Sequence, residues 1–326
     1  MFQSQRSDDQ ITGRSLRHTL CLDEKLWQAG YQEVDILPVY LVKYMEMIAM
    51  DFYDCHTHST FSFDGKAALE EQCQAAMNKG LAGICLTEHF SVDSRDVSFG
   101  VLDYENYHNT IDCLRRKFEG RLYIGRGLEI GEPHLPQCSA ALVKALAGMQ
   151  LDFIIGSIHN IGGVKLRNYM QGKSKEQLYT AYFKEILAMV ETADIDVIGH
   201  LDLVKLYGAI GGYGDYVFAE YRELLSAIMK CAIQRGIGLE LNTAGWRKEA
   251  GQQYPAHKVL HLYKELGGRI ITLGSDAHKG QDVGADFERA KELLLACGFN
   301  SCCYFVNRQP FYVSLCKAGV KRETAC

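Results

Sequence analysis

The sequence predicts an α/β protein built as a parallel barrel. A short, mostly apolar run is followed by a loop and then by an amphipathic segment with 3.6-residue spacing, and this unit occurs seven times from Met50 onwards. Repeated βα units are typical of parallel sheets, and seven in succession favour closure into a barrel. An open, doubly wound sheet is the alternative, but no Gly-x-Gly-x-x-Gly follows the first strand to support it.

The predicted strands are short apolar or β-branched runs bounded by loop-forming residues. In chain order they are Phe52–Cys55, Gly83–Thr87, Leu122–Leu128, Phe153–Ser157, Ile195–Gly199, Gly238–Leu241 and Ile270–Gly274. The first two predicted helices end at Gly80 and Gly120, because glycine commonly terminates helices. The predicted helices are Ala67–Lys79, Tyr104–Phe118, Lys175–Thr192, Val217–Arg235, Pro255–Leu266 and Asp286–Cys297, with a weaker pattern over Ala140–Ala147.

The N-terminal part of the chain differs from the remainder. Residues 1–17 are polar and lack an apolar period, which predicts disorder, whereas residues 37–50 have the composition of a short helix. We therefore expect an N-terminal extension over residues 1–49, partly disordered, and a barrel domain over residues 50–326. Met45, Met47 and Met50 leave open a translation start downstream of Met1.

Composition narrows the class of protein. A net charge of -5 argues against general binding to nucleic acid or to a membrane surface, both of which need a basic patch. No apolar run approaches the roughly 18 residues of a membrane span. The 12 cysteines form no Cys-x-x-Cys pair and no signal peptide is evident, so we expect reduced thiols and a cytoplasmic location. The sequence leaves the oligomeric state open.

Candidate metal ligands occur at the C-terminal ends of the predicted strands, where parallel barrels build their sites. His56 and His58 are two residues apart at the end of the first strand, so the pleat points both to one face. Six of the 11 histidines lie at such ends. The full set of candidate ligands is His56, His58, Asp64, His89, Glu129, His159, His200, Asp276 and His278.

The chemistry of this donor set narrows the metal. Imidazole and carboxylate donors without cysteine suit Zn, Mn or Fe(II) rather than a thiolate structural zinc site. The candidates exceed the needs of a single ion, and we expect two or three divalent ions that share a bridging carboxylate. We interpret Cys55 as core packing, because the pleat points it away from the face of His56.

The strand ends also resemble a known family. The stretches that carry the resemblance are Asp54-Cys-His-Thr-His58, Thr87-Glu-His89, Gly127-Leu-Glu129, Gly156-Ser-Ile-His159, Gly199-His-Leu-Asp202 and Gly274-Ser-Asp-Ala-His278. In this order they resemble the polymerase and histidinol phosphatase (PHP) superfamily, and within it the histidinol-phosphate phosphatases. The resemblance implies a distorted, TIM-like (βα)7 barrel that hydrolyses L-histidinol phosphate to L-histidinol and phosphate, a step of histidine biosynthesis.

The resemblance further implies a trinuclear metal site. One ion would be held by His56, His58, Glu129 and Asp276. Glu129 would bridge to a second ion, held also by His159 and His200. The third ion would be held by Asp64, His89 and His278. Many superfamily members have histidine at the place of Asp64, and aspartate is also an acceptable ligand.

Substrate contacts are implied at two further places. The stretch from residue 241 to residue 247 resembles the Asn-Thr-x-Gly-x-Arg of the phosphatase branch, which implies substrate contacts for Asn242 and Arg247. Arg167 is a second candidate phosphate clamp, since guanidinium matches phosphate geometry bidentately. Asp276 and His200 are candidates, beside the third ion, for assisting departure of the alkoxide, and the residues alone do not choose among these.

Two other functions remain open. The residues after His159 are Asn160-Ile-Gly-Gly163, where relatives often carry an aromatic residue, so the alcohol part of the substrate is not fixed. A PHP phosphoesterase for another small phosphate ester or a nucleotide is therefore the main alternative. A non-catalytic PHP module that serves a polymerase is the second, but the complete ligand set favours an enzyme.

Overall fold

The computed structural model describes residues 52–316. Its strands are β1 (Tyr53–Thr57), β2 (Gly83–Phe90), β3 (Tyr123–Gly131), β4 (Phe153–Ser157), β5 (Asn160–Ile161), β6 (Val164–Lys165), β7 (Val197–Ile198), β8 (Gly238–Asn242), β9 (Ile271–Gly274), β10 (Ser301–Val306) and β11 (Gln309–Ser314). β1, β2, β3, β4, β7, β8 and β9 pair in that order as one parallel sheet. The predicted α/β barrel is thus confirmed, and so is each predicted strand.

The barrel closes between its first and last strands through the residues that follow them. The His58 amide donates to the Ala277 carbonyl at 2.8 Å, and the Asp276 amide donates to the His56 carbonyl at 2.8 Å. Thr57 and Ala277 form a parallel bridge between the same segments. Closure is therefore made at the C-terminal edge of the sheet, among the predicted metal ligands.

The helices alternate with the strands on the outside of the sheet. They are α1 (Leu69–Asn78), α2 (Tyr104–Lys117), α3 (Pro136–Leu146), α4 (Leu166–Tyr169), α5 (Lys175–Thr192), α6 (Val204–Ile210), α7 (Phe218–Gln234), α8 (His257–Glu265) and α9 (Phe287–Ala296). Local sequence explains the start of α5. α5 begins with a capping box, in which Ser174 accepts from the Gln177 amide and Gln177 accepts from the Ser174 amide.

A C-terminal hairpin, β10–β11, was not predicted. It packs on residues at the N-terminal ends of the barrel strands, with the Phe305 ring 4.9 Å from that of Phe153 and the Tyr304 ring stacked 3.8 Å from that of Tyr53. Cys55 belongs to the same buried cluster, as predicted for a core residue. The hairpin therefore covers the end of the barrel opposite the ligand-rich edge.

Two predictions concern the cysteines and membrane-spanning helices, and both can be compared with residues 52–316. The ten cysteines described are free, and several are buried in the core. Between residues 52 and 316, no helix combines the length and apolar character that a membrane span requires. The N-terminal extension predicted over residues 1–49 lies outside the described residues.

Candidate metal centre

The predicted metal ligands meet at the C-terminal edge of the barrel. His56 comes from β1 and His58 follows it, and both side chains are completely buried. Their Nε2 atoms lie only 3.0 Å apart. We call the nine predicted ligands the ligand cluster: His56, His58, Asp64, His89, Glu129, His159, His200, Asp276 and His278. The structure brings all of them together, and all but His56 and His58 line one cavity.

Glu129 lies at the centre of the ligand cluster, and five imidazoles surround its buried carboxylate. The distances from its oxygens are 2.8 Å to His89 Nδ1, 2.8 Å to His200 Nε2, 3.4 Å to His58 Nε2, 3.4 Å to His159 Nε2 and 3.5 Å to His56 Nε2. One oxygen faces His200 and His159, and the other faces His56, His58 and His89. This is the arrangement that a bridging carboxylate needs.

Two aspartates complete the cluster on either side of Glu129. Asp276 Oδ1 lies 3.4 Å from His58 Nε2 and 3.8 Å from His56 Nε2. Asp64 lies 3.5 Å from His89 Nε2 and 3.3 Å from His278 Nε2. Asp276 has a φ of 54°, in the left-handed region that few non-glycine residues adopt. Within each ion-binding group that the family resemblance implies, the side chains therefore lie close to one another.

The donor atoms of the cluster are arranged to bind divalent metal ions rather than to hydrogen-bond to one another. Glu129 Oε2 accepts no hydrogen bond of normal geometry, although three imidazole nitrogens lie within 3.5 Å of it. Sets of three donors, such as His56, Glu129 and His200, have ligand atoms within 4.8 Å of one another. Imidazole nitrogen and carboxylate oxygen are the donors that Zn, Mn and Fe(II) accept. The residues present therefore fit several divalent ions.

Electrostatics divides the cluster into neutral and charged groups. Burial, followed by the neighbouring His89 and His278, lowers the pKa of His58 well below its ordinary value, so the imidazole is neutral and free to bind metal. Burial alone would raise the pKa of Glu129, but His159, His56 and His89 together hold it well below its ordinary value. The ionised carboxylate at the centre is therefore a site for positive charge.

Glu240, which sequence analysis left without a role, supports the cluster from β8. Its Oε1 lies 2.6 Å from His56 Nδ1, and its Oε2 accepts from the His200 amide at 2.7 Å. A carboxylate bonded to the second nitrogen of a metal-binding imidazole fixes the orientation and tautomer of the ring. Its role could have been suspected from the sequence, because Glu240 lies near the C-terminal end of the sixth predicted strand, two residues before Asn242.

Two other buried carboxylates position the loops of the site. Asp54 accepts from the Ser275 amide at 2.9 Å and from the Gly284 amide at 2.7 Å, which fixes the loop that carries Asp276. Glu132 accepts from the His159 amide at 2.5 Å. Sequence analysis missed Glu132, because nothing local distinguishes it from a solvated loop carboxylate.

A cavity of about 460 Å³ opens onto the ligand cluster. Three cationic side chains, Lys165, Arg167 and Lys248, line it together with Asp276 and His200. Lys248 Nζ lies 3.7 Å from Asp276 Oδ2. The cavity thus combines the proposed metal ligands with cations that can bind an anionic group.

Two predicted substrate residues lie outside the lining of this cavity. Arg247 donates to the Ser275 carbonyl at 2.6 Å and to Asp286 at 3.2 Å. The buried Asn242 accepts from the Ala244 amide at 2.9 Å and donates to Glu240 at 3.2 Å. Their predicted contacts with substrate stay untested, and we propose instead that both position the site, Arg247 through the residue before Asp276.

Comparison with known proteins gives the relationship of the chain. The model of the PHP domain family matches residues 54–244. The histidinol-phosphatase of Lactococcus lactis is 30% identical over 77% of this chain and 93% of that protein. A probable histidinol-phosphatase of Deinococcus radiodurans is 32% identical over 73% of this chain and 90% of that protein.

A solved structure is similar over most of the chain. The histidinol phosphate phosphatase of Lactococcus lactis, crystallised with Zn, L-histidinol and phosphate, has a TM-score of 0.70 and 28% identity, and covers 80% of this chain and 99% of that one. The histidinol phosphatase of Listeria monocytogenes, described as putative, has a TM-score of 0.63 at 22% identity, which supports the fold.

Proposed function

The chain belongs to the PHP domain family, and from that premise we propose that it hydrolyses L-histidinol phosphate to L-histidinol and inorganic phosphate. The observation that carries the proposal is that seven of the nine residues of the ligand cluster line one cavity together with the cations Lys165, Arg167 and Lys248. Relatives named histidinol-phosphatase, and one crystallised with histidinol and phosphate, support the choice of ester. The reaction belongs to histidine biosynthesis.

The ligand cluster would hold two or three divalent ions. We assign one ion to His56, His58, Glu129 and Asp276, a second to Glu129, His159 and His200, and a third to Asp64, His89 and His278. When bound, the ions supply Lewis acidity, which neutralises phosphoryl charge and makes water a stronger nucleophile. Glu240 keeps the Nε2 atom of His56 directed at the cluster, because it bonds the opposite ring nitrogen.

Arg167 is the proposed clamp for the phosphoryl group. Its planar guanidinium can bind two phosphate oxygens at once, whereas the ammonium groups of Lys165 and Lys248 act as point charges. Holding the ester in place supplies much of the rate enhancement in phosphoryl transfer, because there is little covalent chemistry for the protein to perform.

Asp276 and His200 are the proposed groups for proton transfer. Burial alone would raise the pKa of Asp276, but Lys248 and His56 hold it well below its ordinary value. The carboxylate is therefore in the ionised state that a proton acceptor needs, and a proton that it takes from the attacking water can pass from it to the leaving alkoxide oxygen. His200 lines the same cavity, with Nε2 2.8 Å from Glu129, and is the second candidate.

The cavity also suits the histidinol part of the proposed substrate, which carries a positively charged ammonium group. Asp96 and Glu249 line it and carry negative charge that can pair with the ammonium group of histidinol phosphate. Burial alone would raise the pKa of Asp96, but hydrogen bonds from Ser98 and Asn160 lower it, so this carboxylate is ionised. An ester of an amino alcohol is thus favoured over an ester of a neutral sugar.

We further infer that the enzyme works in the cytoplasm on a small molecule, without a nucleic-acid partner. Free, partly buried cysteines are typical of a reducing compartment, and a net charge of -5 offers no general affinity for a polyanion.

Steady-state kinetics on a panel of phosphomonoesters tests the proposal. We expect kcat/KM for L-histidinol phosphate to exceed that for glycerol phosphate, AMP and a sugar phosphate by about 100-fold, since these esters lack the ammonium group that Asp96 would pair with. Asp96→Asn should narrow this difference while it leaves turnover of glycerol phosphate unchanged. An equal or higher kcat/KM for another ester would transfer the proposal to that substrate.

A further inference from the structure

A second group of metal-binding side chains lies on the outside of the barrel. His257 and His261 are four residues apart on α8, and Cys297 follows the last residue of α9. We propose that His257, His261 and Cys297 bind a Zn²⁺ ion through two imidazoles and one thiolate. None of the three lines the cavity of the ligand cluster, so this site is separate from the proposed reaction.

The geometry of the three side chains suits one ion. Each offers a ligand atom, and these atoms lie within 4.8 Å of one another. Residues four apart on a helix share one face, which is how paired histidines grip zinc. The two imidazole rings are 4.9 Å apart and perpendicular, so their nitrogens can point at a common centre. Tetrahedral zinc accepts this donor set and takes water as its fourth ligand.

The donors are available. Among residues 52–316, neither imidazole nor the Cys297 thiol makes a hydrogen bond or an ion pair with another side chain or with the backbone. His257 is exposed, His261 is half-buried and Cys297 is buried, so an ion can enter from the solvent side. Binding breaks the S–H bond of Cys297, releases the proton to solvent and forms a Zn–S bond, with no change in oxidation state.

Packing holds the three donors together before an ion arrives. The Phe299 ring lies 6.3 Å from the Tyr263 ring of α8, and Lys264 Nζ lies 5.0 Å from the centre of the Phe299 ring. The Cys297 amide donates to the Leu293 carbonyl at 2.9 Å, which keeps the cysteine on the end of α9. The ion would therefore join α8 to α9 without rearranging either helix, and it would stabilise their contact.

Cobalt substitution tests this site apart from the ligand cluster. Co²⁺ bound to a thiolate gives an intense near-ultraviolet charge-transfer band, and the ligand cluster contains no cysteine. We would titrate the metal-depleted full chain with CoCl₂ and then displace cobalt with ZnCl₂. The variants are Cys297→Ser and His257→Gln, with Cys113→Ser as the matched control because Cys113 is an exposed cysteine outside the group.

We expect the band in the unmodified protein and in Cys113→Ser, and its loss in Cys297→Ser. His257→Gln should weaken cobalt binding by about tenfold or more, since one of three protein ligands is removed. All three variants should hydrolyse histidinol phosphate at the normal rate after zinc is added. No band in the unmodified protein, or a band that survives Cys297→Ser, would overturn the proposal. If Cys297→Ser fails to fold, the exposed His257 decides, and unchanged cobalt affinity in His257→Gln overturns it.

Discussion

Glu240 Oε1 lies 2.6 Å from His56 Nδ1, and both side chains are buried completely or nearly so. With the proton on Nδ1, the lone pair of Nε2 faces Glu129 and Asp276. The second oxygen of Glu240 accepts from the His200 amide. One carboxylate on β8 therefore orients two proposed ligands that come from β1 and from the loop after β7.

Substitution of Glu240 should weaken metal binding without removing a ligand. In Glu240→Gln the volume is kept but the charge that favours Nδ1–H is lost, so we expect about 10- to 100-fold weaker metal retention. Dialysis against a graded chelator series, followed by metal analysis, measures this, and excess metal should restore turnover. Glu185→Gln is the control, because Glu185 pairs with His134 at 2.8 Å outside the cavity. Equal metal retention in both variants would remove Glu240 from the site.

Gly274 leaves room for the side chains of Glu240 and His56, because it has no Cβ. A Cβ at Gly274 would overlap Glu240 Oε1 and His56 Cβ. We expect Gly274→Ala to lower the free energy of unfolding by about 1–3 kcal/mol, as overpacking of a core does, and to lower metal content. Urea unfolding monitored by circular dichroism measures the first effect. Gly148→Ala is the control, because nothing lies within 4 Å of a Cβ there, and equal stability of the two variants would contradict the close approach.

Arg167 and Arg247 should differ in kinetics. Arg167 lines the cavity, so Arg167→Ala should raise KM by about tenfold or more, the value of a charge-assisted hydrogen bond to phosphate. Arg247 donates to the Ser275 carbonyl next to Asp276, so Arg247→Ala should lower kcat more than it raises KM. Initial rates over a range of histidinol phosphate concentrations separate the two. A larger KM effect in Arg247→Ala would restore the substrate contact predicted from the sequence.

The C-terminal hairpin should contribute stability rather than chemistry. Phe305 is 4% exposed and packs on Phe153, so Phe305→Ala should cost about 3–5 kcal/mol of unfolding free energy. The folded fraction should keep its normal kcat, since the hairpin lies away from the ligand cluster. Phe311→Ala, on the exposed face of the same hairpin, should cost far less. A loss of kcat in folded Phe305→Ala would contradict this division of roles.

Much of the fold was readable from local sequence. α5 occupies the predicted residues Lys175–Thr192, because a capping box begins it and its apolar period continues to its end. The β10–β11 hairpin was missed, since its turn places Asn307 and Arg308 at positive φ, whereas an Asn-Gly turn would have signalled it. Short elements such as β5, β6 and α4 carry too few residues to show a period.

The candidate site was predictable where strand ends carry ligands, and not where tertiary contacts decide a role. The pleat relates His56 to His58, and the barrel rule relates both to Glu129 and His200. No local pattern tells that Glu240 reaches back to His56, 184 positions away. Likewise, Arg247 looks like a phosphate ligand in the sequence, while its partners Ser275 and Asp286 are known only from the folded chain.

The metal dependence of hydrolysis is tested most directly by measuring bound metal and histidinol phosphate turnover in one sample, before and after chelation and dialysis. We expect about two or three Zn, Mn or Fe ions per chain in the ligand cluster, in addition to any zinc that His257, His261 and Cys297 bind. Turnover should be lost when the ions are removed and should recover when one of the three metals is returned. Glu129→Gln, treated in parallel, should hold fewer ions and stay inactive. Turnover at the full rate by metal-free protein, or by Glu129→Gln, would contradict the proposed metal centre.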